Sequence, residues 1–246
     1  MSQLASALPE QAHQMISDIL HQLAGESDSS LGWTLVISIL LSLYSANKGI
    51  AAVFEGVNIA YDELDERNFF KKNGIELLFT LGAIVVGLLA IAIITGWPGV
   101  VGNLGLPSVL QTLISWGRWI VLALIISLSL GLIYKVAPDR DNPEFRWVSW
   151  GAGIATLLWI GGSLLFSWYV NNFGSYDETY GSFAAIVILM LWFFLTAYII
   201  ILGAEINSEM EHQTRKDTTT GEDEPMGQRN AFHADNVAGS SEERKH

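Results

Sequence analysis

Long apolar runs alternate with short charged ones along this chain. Residues 77–117, 119–134, 147–176 and 179–204 contain no Asp, Glu, Lys or Arg. Inside them apolar residues follow one another almost without break, as in LLFTLGAIVVGLLAIAIIT at 77–95. Hydrocarbon offers peptide groups no partner, so segments that cross it are helices or closed barrels. Barrel strands would show about ten residues of alternating polarity, and these runs do not alternate. The pattern predicts five helical spans: Trp33–Tyr61, Ile75–Thr95, Trp116–Tyr134, Val148–Val170 and Phe183–Ala204. Roughly 20 residues cross a core of about 30 Å. The last four spans fit that length, and the first must tilt, bend near Gly49 or Gly56, or protrude.

The segments between the spans assign sides. Residues 62–74 carry Arg67, Lys71 and Lys72, and residues 135–147 carry Lys135, Arg140 and Arg146. The tail after Ala204 adds Arg215, Lys216 and three more bases, whereas 1–32, 96–113 and 171–182 hold none. Arg118, at an outer helix end, is the one dissent. Basic loops stay in the cytoplasm, so the amino terminus is expected outside and the carboxyl terminus inside. Tryptophans 33, 97, 116, 119, 147, 150 and 168 lie near span ends, as an interfacial belt would. Trp159 and Trp192 fall mid-span and are expected to pack between helices. Gly151, Gly153, Ala155, Gly161, Gly162 and Ser163 would let the fourth helix approach a neighbour closely.

The expected fold class is therefore all-α: a multi-pass transmembrane helical bundle of about five spans at 33–210. An extracytoplasmic segment at 1–32 precedes it, and a disordered acidic cytoplasmic tail at 211–246 follows. In residues 9–24, Met15, Ile16, Ile19, Leu20 and Leu23 share one face, which predicts an outer amphipathic helix. Residues 96–113, with Pro98, Pro107 and four glycines, are expected to form an outer loop, with room for a short helix. The polar tail from 214 onward lacks the apolar residues that a folded core needs. The start, MSQLASALPEQ, has neither the basic nor the apolar region of a cleavable signal peptide.

Composition agrees and excludes several functions. Of 246 residues 50% are hydrophobic and 15% charged, against about 25% charged in soluble domains. The net charge of −12 leaves no broad basic face for nucleic-acid phosphates. The absence of cysteine excludes disulfides, iron–sulfur clusters and thiol catalysis. Histidines 13, 21, 212, 233 and 246 lie outside the spans, none at metal-ligand spacing. Neither GxSxG nor a Walker A motif is present. No catalytic residue, metal or cofactor is expected, and the chain reads as a non-enzyme.

Candidate chemistry lies elsewhere. Asn47, Lys48, Glu55, Asn58 and Asp62 fall within about 100° of arc at 100° per residue on the first span. Charge at membrane depth is costly and faces a protein interior or a water-filled cavity, so these five are candidates for a polar path. The bland alternative is a snorkelling or paired Lys48, with the lower half of the helix already in the interface. The loop YKVAPDRDNPEFRW (134–147) offers Asp139, Arg140, Asp141, Glu144 and Arg146 for recognition of a head group, metal or partner. A rigid turn with local ion pairs would explain it equally simply. The outer segment NNFGSYDETYGS (171–182) offers Asn171, Asn172, Tyr176 and Tyr180, as recognition groups or as helix caps. Glu205, beside Asn207, follows the last span and either closes that helix or is solvated.

Three blocks carry a resemblance: NNFGSYDETYGS, APDRDNPEFRW and LGAEINSE, together with ANKGIAAVFEGVNIAYDELDERNFF at 46–70. The chain resembles the BrkB/YihY membrane family over roughly residues 9–210. The resemblance implies an all-helical bacterial inner-membrane protein, usually of six spans, linked to envelope integrity and lipid-like transport. Family members have also been labelled ribonuclease BN, a label that these residues do not support. The family typically places a further span before the segment matching 9–30, and this sequence lacks it. The expected function is transport or translocation of a lipid-like or amphipathic envelope solute. The alternative is a non-transporting scaffold for envelope machinery. Expected partners are membrane lipids and envelope proteins, not nucleic acid, and nothing in the sequence specifies an oligomeric state.

Overall fold

The computed structural model describes residues 29–103, 105, 107–141, 143–173, 182–221 and 223–238. The expected amphipathic helix at 9–24 lies outside them. Five long helices follow in order: α1 (Ser29–Ala60), α2 (Phe69–Gly102), α3 (Ser108–Val136), α4 (Phe145–Phe173) and α5 (Ser182–His212). A single turn, α6 (Phe232–Asp235), lies in the tail. Among the described residues the only β pairing is an isolated bridge between Pro143 and Thr219. All five long helices are long and apolar enough to cross a membrane, so the all-α multi-pass architecture holds.

Each helix extends past its expected ends, except that α1 stops at Ala60, one residue short of Tyr61. The 34 residues of α2 make a rod of about 51 Å at 1.5 Å per residue. Hydropathy marks only the part that needs hydrocarbon, whereas the i→i−4 ladder continues wherever nothing breaks it. The expected outer loop at 96–113 is accordingly much shorter, because α2 runs through Pro98 to Gly102 and α3 begins at Ser108. A proline inside a helix removes one backbone donor, and near the end of a long helix that loss is local. Trp97 Nε1 donates to the Ile114 carbonyl at 3.0 Å and ties the two helix ends together.

The described residues fall into two compact units, with boundaries at Gly49/Ile50, Glu76/Leu77 and Arg118/Trp119. In the unit made of Ile50–Glu76 and the chain from Trp119 onward, α4 packs against α5. Small residues allow it, as their clustering suggests. A Cβ on Gly151 would collide with the Gly203 carbonyl and lie 2.6 Å from the Asn207 side chain. One on Gly203 would collide with the Tyr134 hydroxyl and lie 2.8 Å from Ala155 Cβ. A polar side chain fastens the contact, Asn207 accepting from the Gly151 N–H at 2.7 Å, and Tyr134 of α3 donates to the Ile200 carbonyl of α5 at 2.8 Å. Trp159 and Trp192 meet edge to face at 6.0 Å, and Trp159 donates to Thr196.

Outside such contacts the helices are bare. Leu88, Leu128, Leu164 and Phe194 are among many large apolar side chains left exposed. Patches of this extent mark a membrane-facing surface.

The tail does not follow the expectation of disorder where it is described. Residues 214–221 and 223–238 turn back onto the loops that follow α1 and α3. Buried Arg229 organises the turn, donating to the carbonyls of Glu224 (3.0 Å) and Ala234 (2.8 Å). Asp217 accepts from the backbone of Thr219 and Glu224 at 2.9 and 2.7 Å. Composition missed this because charged side chains and main-chain groups hold the segment, with little apolar burial.

The glycine contact generates a test. Gly151→Ala should destabilise the purified protein by about 1–3 kcal/mol, read as a lowered thermal midpoint in detergent. Gly153→Ala meets nothing within 4 Å, and should leave the stability unchanged or raise it by up to about 1 kcal/mol, read as an equal or higher midpoint.

Candidate functional site

The polar chemistry of the second unit gathers where the loops after α1 and α3 meet the tail. Helix α1 ends because Asp62 adopts a left-handed conformation, φ 53°, which Asp tolerates better than most residues. The chain then leaves the helix axis, with Glu63 N–H returning to the Asn58 carbonyl at 3.0 Å. Asn68 caps the start of α2 by accepting from the Lys71 N–H at 2.8 Å.

Asn58 and Arg67 bind the two loops to each other. Asn58 is buried. It donates to the carbonyls of Phe54 (2.9 Å) and Ala137 (3.1 Å) and accepts from the Asp139 N–H (2.9 Å). Arg67 pairs with Asp139 at 2.9 Å and donates to the carbonyls of Val136, Ala137 and Pro138. The second Asp139 oxygen accepts from the Glu66 N–H at 2.8 Å. Asn58, a candidate for the polar path, and Asp139, a candidate for recognition, therefore both hold structure here. Arg67 was not among the candidates. Its signal was only that it lay in a basic loop on the same side as APDRDNPEFRW.

Behind this bracket lies a buried ion pair. Arg140 and Glu211 form a two-point contact with side chains 0% and 2% exposed. The Thr218 hydroxyl donates to Glu211, and the Tyr61 ring lies 5.4 Å from the guanidinium. Burial works against the Arg140 charge, but the hydrogen bonds and negative charge of Glu211 outweigh it and hold its pKa above the ordinary value. Burial pushes the Tyr61 hydroxyl up. Burial also raises the Glu63 carboxyl, against the pull of the Phe232 N–H, Arg140 and His233. The Asp217 carboxyl, despite burial, is held below its ordinary range by the backbone donors of Glu224 and Thr219, the Thr219 hydroxyl and Arg229.

Between the two loops and the tail opens a polar cleft of about 640 Å³. Its wall carries Asp62, Glu63, Glu66, Asp139, Asp141 and Asp235, against Lys71 and the already paired Arg140. Among the described residues no three His, Asp or Glu side chains converge as metal ligands.

The remaining candidates are scattered. Asn47, in the other unit, accepts from the Thr80 hydroxyl at 3.1 Å. Lys48 is exposed, its ammonium 5.4 Å from the Tyr44 ring. Glu55 is exposed, and Asp62 is exposed where it meets His233. Glu144 and Arg146 approach to 3.5 Å, both largely solvated. Asn172 donates to the Trp168 carbonyl at 2.8 Å, a capping role. Tyr176, Tyr180 and the side chain of Asn171 lie outside the described residues. Glu205 is exposed, whereas Asn207 is buried in the α4–α5 contact.

Removing one member of a buried pair strands the other charge, at about 3–5 kcal/mol. Glu211→Gln should therefore lower the thermal midpoint more than Arg140→Met combined with Glu211→Leu. Equal midpoints for Glu211→Gln and the parent would show that the pair does not hold this end together.

Three comparisons place the chain among known proteins. It matches the family model described as Virulence factor BrkB over residues 1–227. It is 32% identical over 213 residues to YfkH of Bacillus subtilis, whose name describes it as ribonuclease-like; 85% of this chain and 75% of that protein align. It is 31% identical over 186 residues to a UPF0761 membrane protein of Mannheimia succiniciproducens, covering 74% of this chain and 60% of the relative. A UPF0761 membrane protein of Idiomarina loihiensis is 25% identical over 213 residues, with 84% and 70% covered. No solved structure matches. Five membrane-length helices and a family match over most of the sequence lead to one conclusion: the chain belongs to the BrkB family of multi-pass membrane proteins.

Proposed function

We propose that this chain, in a bacterial inner membrane, moves a lipid-like or amphipathic envelope solute along a polar stripe on α1. The carrying observation is that Lys48 and Glu55 are both exposed on a helix of membrane-crossing length that holds no other charged residue. Seven residues separate them, nearly two full turns, so they share one helix face. Neither belongs to an ion pair among the described residues. A charge at such depth is retained where it contacts water or a polar ligand, and an amphipathic solute supplies polar atoms while its apolar part stays in lipid. Asn47, held by Thr80, adds a polar neighbour. The basic loops and the folded tail then lie in the cytoplasm.

The reading is non-enzymatic. The ribonuclease-like description belongs to YfkH, and this chain's net charge of −12 disfavours an RNA substrate. A scaffold role is the second reading, and the acidic cleft beside the tail favours it.

The test reconstitutes the protein in vesicles carrying a fluorescent head-group-labelled phosphatidylglycerol and follows its movement between leaflets. Lys48→Ala and Glu55→Ala, singly and together, should each slow the protein-dependent rate by about tenfold, the cost of roughly 1.4 kcal/mol. Unchanged rates at normal expression would overturn the proposal. Specific crosslinking of one defined protein at Lys71, abolished by Glu66→Lys, would then support the scaffold.

A further inference from the structure

Two imidazoles stack where the tail closes on the end of α5. The rings of His212 and His233 lie 4.6 Å apart and 12° from parallel, and both residues are buried. His212 is the last residue of α5, and His233 is in α6. Thr218 anchors the start of the tail, donating to Glu211 and accepting from the Glu144 N–H at 2.8 Å, and around the stack the rest of the tail is held by single hydrogen bonds. The Phe232 N–H donates to Glu63 at 2.7 Å. The Asp141 N–H donates to the Asn230 carbonyl at 3.2 Å, and the Ala238 N–H to the His212 carbonyl at 3.0 Å. None of these would keep the tail down alone, since an ordinary hydrogen bond contributes little net stability.

We infer that residues 214–221 and 223–238 are a lid over the polar cleft, latched by the neutral His212–His233 stack and released by protons. His233 Nε2 lies 2.9 Å from an Asp62 carboxylate oxygen. A carboxylate only accepts, so Nε2 carries the hydrogen in the closed state. The other nitrogen, Nδ1, is buried and has no hydrogen-bond partner among the described residues. Protonating it would create a second N–H with nothing to receive it. Protonating His212 as well would place two cations face to face inside a contact that excludes water.

The groups facing the stack set the direction. Asp62 and Glu63 approach from the turn after α1, Arg140 and Asp141 from the loop after α3, Glu211 from α5, and Arg229 and Asp235 from the tail. Arg140 and Glu211 cancel each other, as do Arg229 and Asp217 nearby. Asp62 is 64% exposed, so water weakens its hold on a charged His233. Glu63, whose carboxyl is raised by burial, loses its charge early on acidification and withdraws a counter-ion. Asp217 acts in a separate window. Its carboxyl is held below the ordinary carboxylate range, so the turn it supports is lost only as the pH falls through that lowered pKa. The lid is thus expected to lift as an intact turn. This inference does not rest on the transport reading.

The chain has no cysteine, so one introduced thiol reports one place. Ala234, next to His233, is 1% exposed, and Gln228 is exposed. Full-length protein carrying Ala234→Cys is labelled with a maleimide at pH 8 and pH 5.5, and each rate is divided by that of Gln228→Cys at the same pH. At pH 8 the ratio should be about one tenth or less, and at pH 5.5 it should rise at least about fivefold, as for local opening. Adding His212→Phe keeps a flat ring in the stack without a titrating group and should hold the low ratio at both pH values. A ratio that does not change with pH overturns the inference. So does opening confined to below about pH 4, which assigns release to carboxylates, and so does equal opening in His212→Phe. Should Ala234→Cys disturb the turn, two further measurements decide: Ala231→Cys, and hydrogen exchange of Phe232–Asp235 in the unaltered chain, corrected for intrinsic pH dependence.

Discussion

Lipid tails solvate a leucine face as well as another leucine does, and this removes the usual reason for helices to associate. Each helix pairs its own peptide groups and is content in hydrocarbon. Association then depends on backbone approach and on polar side chains. The α4–α5 contact has both: Gly151 meets the Gly203 carbonyl, and Asn207 accepts from the Gly151 N–H and donates to the Val148 carbonyl across it, while Tyr134 of α3 donates to the Ile200 carbonyl of α5. The large apolar residues that dominate the composition contribute little to this specificity. They define what the surface faces rather than which helix lies beside which.

The same economy explains the tail-bearing end. Outside hydrocarbon, loops have water available and need not fold. Here they fold because a few side chains each satisfy several main-chain groups at once. Asn58 serves three, and Arg67 serves three carbonyls as well as Asp139. Arg140 and Glu211 are removed from water together, which is tolerable only because each occupies the other fully and Thr218 takes part. A segment of such polarity can therefore be ordered with little apolar burial.

This division bears on function. Side chains that hold loops spend their hydrogen bonds there, as Asp139 and Arg140, candidates for loop recognition, and Asn58, a candidate for the polar path, all do. Lys48 and Glu55, candidates for the same path, join no such bracket among the described residues. The cleft keeps its acidic wall because only Lys71 and a paired Arg140 oppose six carboxylates.

The number and nature of the spans, the tryptophan placements at Trp159 and Trp192, and the small-residue face of α4 were legible from the sequence alone. Each depends on the free energy of single residues in lipid or on a fixed helical period, and such quantities are local. Helix ends were read too short, because continuation of the ladder past the hydrocarbon costs nothing and leaves no hydropathic mark. The bracket of Arg67 with Asp139, the burial of Arg140 against Glu211 and the folding of the tail onto His212 were decided by tertiary structure. They join residues 71 to 171 positions apart where they are paired across loops. A side chain's charge says that it needs a partner, and only the folded chain says which one it finds.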